Sequence, residues 1–273
     1  MVRDNLPARE EWKPLGGASG RSKRMSTSVV EGVSRVKRSR AQARATYDRL
    51  SGIYDLLAGG SERRFLDLGL SQLNPQPGEI ALEVGAGTGH GLVSLARAVG
   101  AVGQAWGVDL SSRMCRAAQD RAREAGVICG DAVRLPFGPN TFDAILTCFT
   151  LELFDTPEIP NVLSECRRVL RADGRMCIVA MSRHRVTAMV RIYEWAHAIW
   201  PAAIDCRPIH VQAALGAAGL EPVDVMLLSM WGLPVEIVLA RQRTQATGAS
   251  LGPRGMHGDG IGVSQPTSSP NRH

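Results

Sequence analysis

Long apolar runs and a targeting segment are both missing from this sequence of 273 residues. No uncharged apolar stretch reaches the roughly 18 residues that suggest a membrane-spanning helix. The first residues carry charges throughout and lack the apolar core of about 7–15 residues that marks a secretory signal. We therefore expect a cytoplasmic protein without a membrane span.

Cysteine pairs at metal-binding or redox spacing are missing too. The six cysteines are scattered without any Cys-x-x-Cys, and several stand in apolar runs. This distribution is typical of small buried hydrophobic residues in a reducing compartment. The sequence therefore predicts no metal site.

Positive charge is scarce in the middle of the chain, although the net charge is +6. Residues 1–40 hold ten Lys/Arg against four Asp/Glu, and residues 241–273 hold four Arg against one Asp. Residues 41–240 hold 18 Arg against 21 acidic residues. A nucleic-acid-binding domain needs a basic face on its folded part. We therefore expect solvated basic tails and no nucleic-acid partner.

Composition divides the chain into three parts. Residues 1–40 are rich in Ser, Gly, Arg and Lys, residues 243–273 are rich in Gly, Ser, Pro and Thr, and both are predicted to be disordered. The body, 41–242, begins with a predicted helical cap over 41–75. Residues 182–206 are predicted to form a helical insertion with a broad apolar face, which is interpreted as a lid over the ligand-binding site.

Short apolar strands alternate with helical patterns in the body. The predicted strands are Ile80–Val84, Gln104–Val108, Val127–Gly130, Phe142–Thr147, Arg175–Met181, Pro222–Met230 and Pro234–Ala240. The predicted helices are His90–Val99, Ser112–Glu124, Glu158–Leu170 (which stops at Gly174) and Pro208–Ala218. This alternation predicts a doubly wound, mostly parallel α/β sheet. Only "WGL" separates the last two strands, so they should form an antiparallel edge hairpin.

A glycine-rich loop follows the first predicted strand, in the stretch "ALEVGAGTGHG" from Ala81 to Gly91. A dinucleotide fingerprint would read G-x-G-x-x-G, but His90 stands where its third glycine should be. The backbone N–H groups at the start of the next helix would bind a pyrophosphate. The negative charge of Glu83 at the strand end would repel it. The same acid suits S-adenosylmethionine (SAM), whose sulfonium and α-amino groups are cationic.

Further acidic residues end the second and third strands. Asp109 lies twenty residues beyond Gly89 and can accept both hydroxyls of a ribose, in NAD as well as in SAM. Asp131 can accept from an adenine amino group while the backbone N–H of Ala132 donates to the ring. Because ligands of such sheets bind at the carboxyl ends of the strands, we expect these residues to share one edge with Glu83.

Four segments, "LEVGAGTGHG", "GVDLSSRM", "GDAVRLPFGPNTFDAI" and "ECRRVLRADGRMCIVAMS", resemble the successive motifs of class I SAM-dependent methyltransferases. Within that class the chain resembles the ubiquinone/menaquinone-biosynthesis C-methyltransferase-like (methyltransferase type 11) family over about residues 45–240. The resemblance implies a Rossmann-like methyltransferase fold with a seven-stranded sheet. It does not choose the substrate, because this motif set serves many acceptors.

The same resemblance implies a SAM site. The glycine loop would hold the methionine moiety, the ends of the second and third strands the ribose and adenine, and the end of the fourth strand would line the transfer site. The implied residues are Glu83, Gly85, Ala86, Gly87, Asp109, Leu110, Met114, Asp131, Ala132, Cys148 and Phe149.

Two departures from the family pattern stand out. The family's quinone C-methyltransferases carry an Arg-Asn pair just after the fourth strand, where this chain has Glu152 and Leu153. The separation of Asp109 and Asp131, 22 residues, is shorter than in close relatives and predicts a short or displaced third strand. The first departure argues against a demethylated quinol as acceptor, and the second weakens the adenine contact expected of Asp131.

No residue is a decisive catalytic base. A carbon acceptor beside a phenol needs such a base, whereas a nitrogen acceptor must mainly arrive unprotonated. The candidates are Tyr47, Tyr54, Glu152, His184 and His210. Glu152 either attracts an amine acceptor or serves no chemistry, capping the next helix or facing solvent.

The sequence is best interpreted as a SAM-dependent methyltransferase for a small, fairly apolar acceptor, such as a quinone-like ring or a lipid or small amine. The predicted lid could also touch a membrane surface that holds a lipophilic substrate. A non-catalytic SAM-binding or assembly protein on the same fold is the first alternative. An NAD-dependent oxidoreductase is the second, disfavoured by the glycine spacing, by Glu83 and by the terminal hairpin.

Overall fold

The computed structural model describes residue 45, residues 59–183, 189–191, residue 195 and residues 207–243. The two predicted tails therefore lie outside the described residues, apart from residue 243, as does most of the predicted lid. Three of the candidate bases, Tyr47, Tyr54 and His184, also lie outside them.

The described residues include seven strands, five helices and one short 3-10 turn. The strands are β1 Ile80–Val84, β2 Gln104–Asp109, β3 Gly126–Cys129, β4 Phe142–Cys148, β5 Leu170–Met181, β6 Leu220–Met230 and β7 Leu233–Gln242. The helices are α1 Gly59–Leu73, α2 His90–Val99, α3 Ser112–Arg121, α4 Ile159–Val169 and α5 Val211–Ala217, and the 3-10 turn is Leu151–Leu153.

The strands form one sheet in the order β3-β2-β1-β4-β5-β7-β6. Strands β1 to β5 pair in parallel, whereas β7 pairs antiparallel with both β5 and β6. This confirms the predicted doubly wound sheet and its antiparallel edge hairpin. The strand order reverses between β1 and β4, and ligands of doubly wound sheets bind at such a reversal.

Apolar layers cover both faces of the sheet. One layer packs α4 and α5 against the sheet, through side chains such as Val162, Leu163 and Leu215. The other packs α1, α2 and α3, through side chains such as Leu73, Leu95 and Ala118. Among the described helices, none is both long and apolar enough to cross a bilayer.

Two features of the strands differ from prediction, namely the start of β5 and the position of β3. Strand β5 begins at Leu170, directly after α4, because Leu170 pairs with Phe142 before a register shift brings Ala144 opposite Arg175. Gly174 therefore lies inside a strand instead of ending a helix. Strand β3 is short, as predicted, but it is not displaced, since it pairs in register with β2 up to Cys129 opposite Asp109.

Helix α1 approaches the sheet closely at Gly69, where a Cβ atom would lie 2.6 Å from Cγ2 of Val179. The end of this helix is held by Arg175 of β5, whose Nε donates to the Leu73 carbonyl oxygen at 2.6 Å. The same guanidinium forms two 2.8 Å hydrogen bonds to the Glu79 carboxylate just before β1. These contacts fix α1 against β5 and against the segment that leads into β1, the strand before the glycine loop.

Candidate cofactor and acceptor site

The glycine loop after β1 bends towards β2. The backbone N–H groups of Gly85 and Ala86 donate to the Val108 carbonyl oxygen at 2.8 and 3.1 Å. Gly85 has a φ of 77°, and a Cβ on it would lie 2.2 Å from Oγ1 of Thr150. Gly87, with a φ of 52°, has no atom within 4 Å of its missing Cβ. The loop is therefore packed at Gly85 and open to a ligand at Gly87.

Asp109 connects this loop to the start of α3. Its Oδ2 accepts from the Gly87 backbone N–H at 2.9 Å, and its Oδ1 accepts from the Ser111 backbone N–H at 2.9 Å. Each carboxylate oxygen can accept more than one hydrogen bond. The carboxylate is thus oriented by the backbone and can still receive the two hydroxyls of a ribose.

Glu83 lies at the end of β1 and is only 4% exposed. Burial, and next the charge of Asp109, raise the pKa of its carboxyl to about 8, against a hydrogen bond from the Leu92 backbone N–H. Its Oε2 has no hydrogen-bond partner within the described part of the chain. Gly91 makes room for it, since a Cβ there would lie 2.1 Å from Oε1. A buried carboxyl oxygen without a partner suits the ammonium group of SAM.

A pocket opens over the loop. Its walls are the Glu83–Gly91 segment, Cys148 at the end of β4 and the first turns of α1. Helix α1 contributes Glu62, Arg63 and Leu66, and the Arg63 guanidinium lies 3.4 Å from Nδ1 of His90. These three residues were missed by the sequence reasoning, which placed a helical cap here but had no signal for its inward face.

The residues expected around adenine are not among those that line this pocket. Met114 is buried in the first turn of α3, where its N–H donates to Oγ of the N-cap Ser111 at 3.1 Å. Asp131 follows β3 and accepts from the Val133 backbone N–H at 3.1 Å. Ala132 is buried, and Leu110, directly after β2, is half-buried. The ends of β2 and β3 thus bring these side chains to the expected edge of the sheet.

Two neighbouring residues at the end of β4 face different environments. Cys148 lines the pocket, and burial followed by the charges of Glu62, Glu83 and Glu152 raises the pKa of its thiol well above its usual value. Phe149 is buried instead, with its ring edge-on to Phe65 of α1 at a centroid distance of 6.0 Å. Phe149 therefore packs α1 onto the sheet, and Cys148 is the one of the two in the pocket wall.

Glu152 lies in the 3-10 turn after β4 with 0% of its surface exposed. Its Oε1 accepts from the Met181 backbone N–H at 2.8 Å. Burial, and to a smaller extent the charge of Glu62, raise the pKa of its carboxyl to about 8, against backbone hydrogen bonds and Arg207. The expectation that Glu152 faces solvent is wrong, and so is the expectation that it caps the next helix, because the N-cap of α4 is Glu158.

Arg207 was not singled out from the sequence, although it is only 1% exposed. Its guanidinium donates to Oγ1 of Thr156 at 2.8 Å and to the Phe154 carbonyl oxygen. Its position within "DCRPI", which the resemblance had covered, was the only available signal. The remaining candidate base, His210, precedes α5 and is half-buried, but it is not part of the pocket wall.

Residues 81–174 match a family model described as a methyltransferase domain. The ubiquinone/menaquinone biosynthesis C-methyltransferase UbiE of Paraburkholderia xenovorans (strain LB400) is 33% identical over 143 residues. That match covers 51% of this chain and 57% of the relative, so the chain spans little more than half the length of this relative. The similarity to methyltransferases is therefore concentrated in the segment that carries the glycine loop and the ends of β2, β3 and β4.

Solved structures share the fold at lower identity. The [4+2]-cyclase SpnF superposes with a TM-score of 0.61 at 20% identity, over 76% of this chain and 98% of that one. The 1,6-didemethyltoxoflavin-N1-methyltransferase of Burkholderia thailandensis, solved with its substrate and S-adenosylhomocysteine, gives 0.56 at 18%, over 78% and 95%. A cyclase and a methyltransferase share this fold, so fold alone does not assign the reaction.

Proposed function

We propose that this chain, which carries a class I methyltransferase domain of the ubiquinone/menaquinone C-methyltransferase-like type, transfers a methyl group from SAM to a small-molecule acceptor. The observation that carries the proposal is the pair of carboxyl groups beside the glycine loop, at the ends of β1 and β2. Asp109 is oriented by the Gly87 N–H, and Glu83 lies buried beneath Gly91 with one oxygen unpartnered within the described residues. These are acceptors for a ribose and for an ammonium group.

The remaining residues would bind, orient and exclude water. Bound SAM supplies an electrophilic methyl group on a sulfonium, so the protein needs mainly to align the acceptor with it in a dry pocket. Gly87 permits close backbone approach of the methionine moiety. Glu62 and Leu66 of α1 and Cys148 of β4 form part of the pocket wall.

The acceptor is proposed to be a fairly apolar small molecule, either a quinone-like ring or a lipid or small amine. The name of the UbiE relative supports a ring carbon. The residue Glu152, where quinone enzymes of this family carry an Arg-Asn pair, supports an amine. Contact with a membrane surface stays a prediction, because most of the helical segment expected to make it lies outside the described residues.

Calorimetric titration of the full chain with SAM tests the cofactor assignment. We expect binding by the wild type and at least tenfold weaker binding by Asp109→Ala, because hydrogen bonds to a charged group contribute about 1.5–3 kcal/mol. Asp120→Ala, on the exposed face of α3, is the matched control and should bind SAM as the wild type does. A folded wild-type protein that binds NAD but not SAM would refute the proposal.

Transfer itself needs a separate test. Incubation with methyl-labelled SAM and a metabolite extract, followed by mass spectrometry, should reveal a labelled small molecule. SAM binding without turnover on any acceptor would instead support the non-catalytic alternative.

A further inference from the structure

Two cysteine thiols lie next to each other at the carboxyl edge of the sheet. Cys115 belongs to the first turn of α3, and Cys129 ends β3, fourteen positions further along the chain. Sγ of Cys115 donates to the Asp109 carbonyl oxygen at 3.4 Å and to that of Ile128, the residue before Cys129, at 3.8 Å. The Cys129 thiol forms a side-chain hydrogen bond with Cys115. The fold thus brings together two sulfurs that share no Cys-x-x-Cys motif.

Both thiols contact the backbone of residues that are expected to hold the cofactor. The Asp109 carbonyl oxygen accepts from Cys115, and the Leu110 carbonyl oxygen accepts from Sγ of Cys129 at 3.6 Å. Cys129 is also the cross-strand partner of Asp109. Asp109 is the proposed ribose acceptor, and Leu110 is expected beside adenine. A chemical change at either sulfur therefore acts directly on the backbone at the end of β2.

The two thiols differ in how readily an oxidant reaches them. Cys129 is the one exposed cysteine among the five in the described part of the chain, whereas Cys115 is only 8% exposed. Burial, followed by the charges of Cys129 and Asp109, raises the pKa of the Cys115 thiol to about 12. Because the thiolate is the form that reacts with oxidants, Cys129 is attacked first. A neutral, oxidised Cys129 then removes one of the charges that keep Cys115 protonated.

We propose that Cys115 and Cys129 form a redox-modification site, which a peroxide converts to an intramolecular disulfide that weakens SAM binding. Disulfides in proteins of reducing compartments are usually transient and serve catalysis or redox sensing. The formation of this disulfide is independent of the proposed function, whereas its effect on the cofactor rests on that function.

The chemistry needs one peroxide as oxidant. The Cys129 sulfur attacks one peroxide oxygen and the O–O bond breaks, so that hydrogen peroxide yields a sulfenic acid and one water. The Cys115 sulfur then attacks the Cys129 sulfur and the S–O bond breaks. The hydroxyl group leaves with the proton of Cys115 as a second water. The two sulfurs together lose two electrons and two protons, which the peroxide gains. A dithiol reductant reverses the change by thiol–disulfide exchange.

The disulfide would disturb the residues that orient the Asp109 carboxylate. A covalent bond holds two sulfurs closer than a hydrogen bond does, so the first turn of α3 and the end of β3 must approach each other. Neither sulfur then has a hydrogen to donate to the carbonyl oxygens of Asp109 and Leu110. The carboxylate itself is fixed by the N–H groups of Gly87 and Ser111. Because Ser111 is the N-cap of α3, a shift of this turn moves one of the two donors.

Oxidation of the full chain with hydrogen peroxide, followed by alkylation of free thiols and mass spectrometry, tests the disulfide. Trypsin leaves Cys115 in the peptide 114–116 and Cys129 in the peptide 124–134, and neither peptide contains another cysteine. We expect the two peptides to be linked in the oxidised protein and separate after treatment with dithiothreitol. A free Cys115 beside an oxidised Cys129, or two free thiols, would refute the proposed pair.

Calorimetry with SAM tests the consequence of the disulfide. The oxidised protein should bind SAM about tenfold more weakly than the reduced protein, because a displaced Asp109 carboxylate aligns poorly with the ribose hydroxyls. Dithiothreitol should restore the affinity. Equal affinities of the linked and reduced forms would refute the effect on the cofactor. A reduced protein that binds no SAM would instead remove the proposed methyltransferase function, and the peptide linkage would still decide whether the modification site exists.

Cys129→Ser separates this pair from other sites of oxidation. The variant changes an exposed side chain, cannot form the disulfide and retains Cys148 in the pocket wall. Its SAM affinity should be the same before and after peroxide treatment. A loss as large as that of the wild type would assign the effect to another residue and overturn the proposal.

Cys115→Ser tests the order of the two steps. Without its partner thiol, the Cys129 sulfenic acid should accumulate and should be trapped by dimedone in the peptide 124–134. The wild type should give much less of this adduct, because Cys115 consumes the sulfenic acid. Equal trapping in the two proteins would contradict attack by Cys115 on Cys129.

Discussion

A Cβ atom on Gly91 would lie 2.1 Å from Oε1 of Glu83, so the first turn of α2 covers this carboxyl only because position 91 is glycine. The clashing atom is the end of a side chain, so Gly91→Ala should still fold and should displace the carboxyl. We expect at least tenfold weaker SAM binding, equal to about 1.4 kcal/mol. Gly216→Ala, in α5 with nothing within 4 Å of its missing Cβ, is the control. Equal affinities for the two variants would show that Glu83 does not hold the cofactor.

Cofactor binding should release a proton from Glu83. In the free protein, burial and the charge of Asp109 raise the pKa of this carboxyl to about 8, so it is largely protonated at pH 6.5. An ammonium group favours the carboxylate and lowers that pKa. SAM affinity should therefore rise up to about tenfold per pH unit below 8 and level off above it.

Calorimetry at pH 6.5 in two buffers with different ionisation enthalpies measures that proton. The wild type should release close to one proton per SAM bound, and Glu83→Gln should release much less while binding more weakly. Equal proton release by the two proteins would assign the linkage to another group.

Stability should fall with rising pH because of Glu152. The pKa of its carboxyl is raised from 4.5 to about 8 in the folded protein, so between these values the unfolded chain binds fewer protons from this group than the folded one. The stabilisation is complete below pH 4.5 and is lost as pH rises through 8. The loss amounts to at most about 1.4 kcal/mol per pH unit.

Urea unfolding of wild type and Glu152→Gln at pH 6, 7 and 8 isolates this contribution. Because Gln does not ionise, the free energy of unfolding of the variant should decrease less steeply with pH. Parallel pH dependences would mean that the Glu152 carboxyl titrates normally in the folded protein.

Local sequence signals predicted the sheet and the cofactor loop but not their surroundings. Alternating apolar segments and "LEVGAGTGHG" depend on near neighbours, so β1, the loop and the edge hairpin followed from the sequence. The start of β5 did not, because it depends on the pairing of Leu170 with the distant Phe142. Gly174 has the local appearance of a helix stop, and tertiary pairing overrides that preference.

The burial of charged residues in the site could not be predicted from the sequence. Glu152 is buried because the backbone of Met181, 29 residues along the chain, closes over it. Glu62 faces the pocket because α1 packs on the sheet at Gly69 against Val179. Both environments arise from contacts between distant segments, which the local pattern of a single sequence does not reveal. The family resemblance predicted cofactor residues and left the acceptor side undetermined for this reason.

The forked contact of Arg175 should matter for stability more than for chemistry. Its guanidinium makes two hydrogen bonds to Glu79 and further ones to the carbonyl oxygens of Leu73 and Asn74. Lysine has the same charge but not this planar fork. Arg175→Lys should therefore lower the free energy of unfolding by about 1–3 kcal/mol, and SAM affinity should change little while the protein is folded.

Arg171→Lys provides the comparison, because Arg171 pairs with Asp143 near the surface and its side chain is 40% exposed. Exposed ion pairs contribute about 0–1 kcal/mol, so this variant should unfold close to the wild type. Urea titration of both variants measures the difference. Equal losses in the free energy of unfolding would show that Arg175 acts only through its charge. The attachment of α1 to the sheet would then come from the packing of Gly69 on Val179 and not from the planar guanidinium.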